Sequence, residues 1–236
     1  MFVPRVYREP EESWKIDLVR GNPLGQLVSN GAEGEAPWVT HVPIIIDPRV
    51  TEPVTSLSGA TLWGHMNIGN PHWRALGPAT PVAVTFSGPH AYVSPTVYET
   101  RPAAPTWNFT AVHIAGVLRK VDSTDETLAT VQETVRAYER EFGADWSMTE
   151  SVEYFRRILP GVGAFRIAIS LADGMFKLSQ EQPPHVRERV RASFACEAST
   201  AHRDVAALMG RLGTEDRETV SARPAAAPPP PSMGTP

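Results

Sequence analysis

Phe165-Arg166-Ile167-Ala168-Ile169-Ser170-Leu171-Ala172 alternates large apolar residues with small or polar ones. That period of two belongs to a half-buried strand, with Phe165, Ile167, Ile169 and Leu171 on the covered face. The segment just before it reads differently. Ser123 with Glu126 has the capping-box pattern, and Leu128, Val131, Val135, Tyr138 and Phe142 follow a helical step that Gly143 ends. Ser147 with Glu150 repeats the box for a shorter helix carrying Val152, Phe155 and Leu159, stopped by Pro160. Farther back, stretches of strand character run over Leu24 to Asn30, Trp38 to Ile46, Leu57 to Gly64, Pro81 to Phe86 and Thr110 to Val121, punctuated by Gly, Pro and Asn. A first helix is expected over Pro10 to Arg20, with Pro10 in its first turn, and further helices near Pro184 to Phe194 and Ser199 to Leu212. Strand edges need closure or cover. The expected architecture is therefore α+β: a six-stranded antiparallel barrel with peripheral helices, one domain over residues 1–212. Residues 213–236 are expected to form a disordered tail, because Ser221 to Pro236, SARPAAAPPPPSMGTP, lacks the side chains to offset its ordering entropy.

Composition narrows the function. With 26 acidic against 22 basic residues the formal charge is −4, which argues against a non-specific nucleic-acid binder. The single cysteine, Cys196, excludes a disulfide framework and zinc sites built of Cys pairs. The first residues, Met-Phe-Val-Pro-Arg-Val-Tyr-Arg, do not resemble a signal peptide, and no apolar run is long enough for a spanning helix, so a cytoplasmic protein without membrane contact is expected.

No phosphate loop, GxSxG, HExxH or CxxC occurs. Histidines and aromatics gather instead between residues 41 and 113, in Trp38 to Pro43, Trp63 to Trp73, Ser87 to Pro95 and Pro105 to Phe109, leading to His113. Each histidine alone is more often a structural residue than a ligand; His65 follows Gly64, which removes bulk where a flat cofactor could approach the backbone. His72, in a Pro-initiated turn, reads as a surface or capping residue. Trp63, Trp73 and Trp107 are core residues or stacking partners for a cofactor, core being the commoner role. Lys177-Leu178-Ser179-Gln180 either holds an anionic group or makes a polar turn.

These motifs carry a resemblance. Gly64-His65 with Asn70-Pro71 and Trp73, Gly88 to Pro95, Pro105 to Asn108 and Phe176 to Gln180 resemble the PaiB family of FMN-binding split-barrel proteins and negative transcriptional regulators. The resemblance implies a dimeric split β-barrel with the cofactor at the subunit interface. Within that family the chain is most similar to the haem-dependent piperazate synthases, on Met1 to Pro4, Thr40 to Ile45, Leu62 to Asn67, Tyr154 to Gly163 and Asp173 to Gln180. Those enzymes cyclise N5-hydroxy-L-ornithine to L-piperazic acid, forming an N–N bond for natural-product biosynthesis. The resemblance implies haem b, with FMN as the alternative cofactor. The expected iron ligand is His65, and Gly64, Trp107, Lys177, Ser179 and Gln180 are expected around the cofactor. His90, Tyr92 and Ser94 are candidates for handling substrate.

Three functions therefore compete: a haem enzyme, a flavin-dependent split-barrel oxidoreductase and a PaiB-type regulator. The regulator lacks an evident helix-turn-helix, and the late basic run Arg187, Arg189, Arg191 is interrupted by Glu188. The flavin reading needs a phosphate clamp, yet between Asn22 and Leu118 the full cations are only Arg49, Arg74 and Arg101. Haem needs an axial donor, which a histidine supplies.

Overall fold

A computed structural model describes residues 1–50, 54–144 and 146–221, with side chains described as far as residue 213. Six strands form a closed antiparallel barrel in the order β1-β2-β3-β6-β5-β4. They are β1 (Leu24–Ser29), β2 (Trp38–Ile46), β3 (Thr61–Asn67), β4 (Thr80–Val93), β5 (Thr106–Lys120) and β6 (Val162–Lys177). The helices are α1 (Glu12–Gly21), α2 (Pro71–Ala75), α3 (Thr124–Phe142), α4 (Val152–Ile158), α5 (Pro184–Ala195) and α6 (Thr200–Ser221). Closure removes the free edges that six open strands would present. None of the described helices is long and apolar enough to cross a membrane.

The barrel interior is filled by alternate residues, among them Leu27, Val84, Phe86, Val112, Ile114, Phe165 and Ile167. The alternation quoted for β6 holds as far as Ile169 and then breaks. Ala115 faces Leu171 while Gly116 faces Ile169, so Ser170 is an extra residue in β6, and its hydroxyl donates to the Ala115 carbonyl at 3.0 Å. The bulge turns Leu171 out to 51% exposure and brings Ala172 in, correcting the expectation that Leu171 is covered.

Several boundaries also move. β3 starts at Thr61, because Leu57 enters the core from the preceding turn rather than from the strand. β4 continues past the expected end at Phe86 through Ser87 to Val93, across a register shift between Ser87 and His90. α1 begins at Glu12, leaving Pro10 outside its first turn. α3 matches its caps: Ser123 Oγ accepts from the Glu126 N–H at 3.3 Å, and Gly143 closes the helix. The second box fails, since Ser147 Oγ accepts from Thr149 N–H in a local turn and α4 starts only at Val152. α6 extends past Leu212 into the expected tail, whose remaining residues, 222–236, lie outside those described.

Candidate cofactor site

β3 alternates across the barrel wall. Leu62 and Met66 join the core, while Trp63 and His65 lie on the opposite face, beside α3. Opposite them on β6, Trp63 faces Arg166, Gly64 faces Phe165, and His65 faces Ala164. His65 is half-buried and its ring makes no hydrogen bond among the described residues, with Nδ1 buried and without a partner. Burial pushes its pKa below the usual histidine value, so the ring is neutral near pH 7. A neutral imidazole is the form that binds a metal. The space beside it is not what the glycine suggested. A Cβ on Gly64 would lie within 2.7 Å of the Phe165 ring, so the missing side chain makes room for a core aromatic and not for a cofactor.

Trp63, 4% exposed, carries two guanidinium groups: Arg166 Cζ lies 3.6 Å from its ring centroid and Arg49 Cζ 4.8 Å. Arg49 is matched by Asp47, through Nε to Oδ1 at 3.0 Å and Nη2 to Oδ2 at 2.8 Å. Burial pushes the Asp47 carboxyl up, but these bonds and the Arg49 backbone N–H outweigh it and hold it below the usual carboxylate range. Arg166 was legible only as an outward strand residue, because the tryptophan it covers lies far away in sequence.

His72 is the reverse of a surface residue. It is fully buried, with Nε2 2.9 Å from Ser29 Oγ and Nδ1 2.8 Å from Thr40 Oγ1, and it stacks on Trp38 with centroids 6.0 Å apart. The Asn70 side chain caps α2 by accepting from the His72 N–H at 2.9 Å. The Pro-initiated turn forms as read, but its cap is Asn70 and not His72, whose ring goes inward, where two hydroxyls receive it.

The other candidates cluster elsewhere. His90 and Tyr92 on β4 face outward, directly opposite Phe109 and Trp107 on β5. The Trp107 ring lies 5.5 Å from His90 and 6.0 Å from Tyr92, and the two larger rings are about half exposed. Lys177 Nζ donates to Thr106 Oγ1 at 2.5 Å beside this aromatic surface. Ser179 and Gln180 serve the polar turn instead. Ser179 is fully buried at φ 64° with its hydroxyl bonded to the Asn108 side chain, and Gln180 Oε1 accepts from Leu178 N–H at 2.6 Å. Ser94 caps the turn Pro95–Tyr98 by accepting from Thr96 N–H. All three side chains are therefore engaged in local hydrogen bonds.

One chain does not join the two groups. β3 and β4 are three places apart whichever way the closed barrel is followed, so their outward side chains diverge. His41 and His113 lie in a cross-sheet row between, through Gln26 and Thr85, that ends at Asp173, which the Met1 ammonium meets at 2.8 Å. Among the described residues no three His, Cys, Asp or Glu side chains gather as a metal cage.

The family model described as "Putative FMN-binding domain" matches residues 1–171. The protease synthase and sporulation protein PAI 2 of Bacillus subtilis is 30% identical over 186 residues, covering 77% of this chain and 83% of that protein. An uncharacterised protein of Emericella nidulans is 29% identical over 246 residues, covering 90% and 98%. The barrel also resembles the solved structure of an FAD and heme binding protein from Mycobacterium smegmatis, with a TM-score of 0.51 at 14% identity, over 79% of this chain and 80% of that one.

Proposed function

The chain belongs to this FMN-binding-domain family, and we propose that within it the protein is a piperazate synthase that binds haem b and converts N5-hydroxy-L-ornithine to L-piperazic acid and water. The observation that carries the reading is His65, a half-buried neutral imidazole that the protein leaves without any hydrogen bond. Such a ring is costly to keep unless something outside the chain uses it. The motifs around it, Leu62 to Asn67 and Asp173 to Gln180, are those that resemble the haem-dependent branch. Haem bound there would supply a Lewis-acidic iron that polarises the substrate's N–O bond.

The chain's own residues have the remaining tasks. The α-nitrogen must be brought onto the hydroxylated nitrogen, an orientation problem suited to a rigid aromatic surface such as Trp107 with Tyr92. His90 accepts the proton lost from the α-amine as the N–N bond forms. The Tyr92 phenol donates one to the departing hydroxide, so that one water leaves and no electrons enter. Because His65 and this surface diverge in one chain, the site needs a second copy of the protein, whose aromatic surface covers the first copy's His65. Arg189 and Arg191 are engaged with Val97, Tyr98 and Glu188, which favours an enzyme over a DNA-binding regulator.

A flavin reading is favoured by one observation, the Lys177 ammonium and Thr106 hydroxyl beside exposed Trp107, a pairing that suits a phosphate. The experiment is an assay by mass spectrometry with N5-hydroxy-L-ornithine and haem-loaded protein. Piperazic acid without NAD(P)H, and no product from ornithine, supports the synthase. Turnover only with reduced nicotinamide and free flavin contradicts it.

A further inference from the structure

Arg166 is a half-buried guanidinium whose charge no carboxylate answers within ion-pair distance among the described residues. It contrasts with Arg49 on the same indole, which Asp47 holds in a two-point ion pair. Of the five N–H donors of Arg166, one is placed, Nη1 on the Phe165 carbonyl at 3.1 Å. The rest of its stabilisation is the Trp63 face at 3.6 Å. Burial works against its charge, and Glu126, in the first turn of α3, and Asp47 offset that only at a distance, while Arg49 adds repulsion. None of its other nitrogens is among the buried unpaired atoms, so those donors open outward, where an anion can reach them. The register says what lies next to it. Trp63 faces Arg166 and His65 faces Ala164, so Arg166 and His65 are diagonal neighbours on one face, a placement that typically puts Cβ atoms somewhat under roughly 7–8 Å apart.

We infer that Arg166, held on the face of Trp63 beside His65, is the anion-binding residue of this site and takes a carboxylate or phosphate of the ligand that His65 faces. The inference rests on the reading that His65 faces the prosthetic group. Planar guanidinium donors in a fixed fork suit either anion. In haem the anion would be a propionate, in FMN the phosphate.

The test titrates the full chain with four probes: haemin, haemin dimethyl ester, FMN and riboflavin, following the Soret band and flavin fluorescence. Wild type should bind haemin at least about tenfold more tightly than its diester. Arg166→Gln should bring that ratio close to one with diester affinity unchanged, and Arg166→Lys should keep part of it. If Arg166→Gln does not fold, the wild-type ratio and Arg166→Lys decide. Equal wild-type affinity for haemin and diester overturns the assignment while leaving haem binding intact, and so does a ratio that survives Arg166→Gln. Preference for FMN over riboflavin, lost in Arg166→Gln, with no haemin binding, upholds Arg166 and overturns the haem reading. No binding of any probe overturns both.

Discussion

His65 and His72 leave the same short stretch of chain, one from a strand and one from the helical turn after it, and meet opposite fates. His72 is sealed in the barrel with a hydroxyl on each ring nitrogen. His65 stands on the outer face with Nδ1 buried and nothing bonded to it. The difference teaches where structure ends and function begins. A histidine whose donors and acceptors are all matched holds strands and helix together, and removing it unbalances the fold. One left unmatched contributes little to folding and is free to serve a ligand.

The strongest way to break the comparison is His65→Ala. It should weaken haemin binding by at least about a hundredfold, read from a Soret titration, while the melting temperature of the ligand-free protein does not fall, since no internal bond is lost and a buried unpaired nitrogen is removed. His72→Ala should do the opposite. Leaving the Ser29 hydroxyl unpaired and the Thr40 hydroxyl with only the Asn70 amide, around a new void, should cost about 2–3 kcal/mol in denaturant unfolding, with haemin affinity unchanged. If the two variants exchanged these effects, the assignment of roles would be reversed.

How much of this was legible in the sequence follows from the same pair. Strand period, the Ser123 cap and the Pro71 that opens α2 are local properties, so the barrel, α3 and the turn at α2 could be read directly. His72 was misplaced because its partners come from β1 and β2, and only the closed barrel brings them to it. The same limit hid the Ser170 bulge, which depends on the register against Ala115, and the Trp63–Arg166 stack. Ser179 and Gln180 left two readings open because a polar turn and an anion site use the same residue types; the bond from Ser179 to Asn108 shows the hydroxyl engaged within the chain.

Gly64→Ala sharpens the comparison at the boundary between core and site. Its new methyl group must displace the Phe165 ring, so a loss of about 1–3 kcal/mol is expected in thermal or denaturant unfolding. Neutral stability there would mean that the glycine serves the ligand side after all.

The smallest effect is on pH dependence. Burial lowers the folded-state pKa of both histidines from the ordinary 6.5. The unfolded chain therefore takes up protons that the folded one refuses. Stability is complete above about pH 6.5 and drains away as pH falls below it toward the depressed folded values, by at most about 1.4 kcal/mol per pH unit for each group. Urea titrations between pH 7 and 5 should show this slope, reduced in His72→Ala relative to wild type.

The central claim, that the unmatched histidine of β3 is the protein's ligand for haem, is tested most directly by the visible spectrum of haemin-reconstituted wild type beside His65→Ala. The account predicts a stoichiometric Soret band in wild type, lost or strongly shifted in the variant. Identical Soret spectra and affinities in the two proteins, or purified protein showing the paired bands of flavin and releasing FMN, would contradict it.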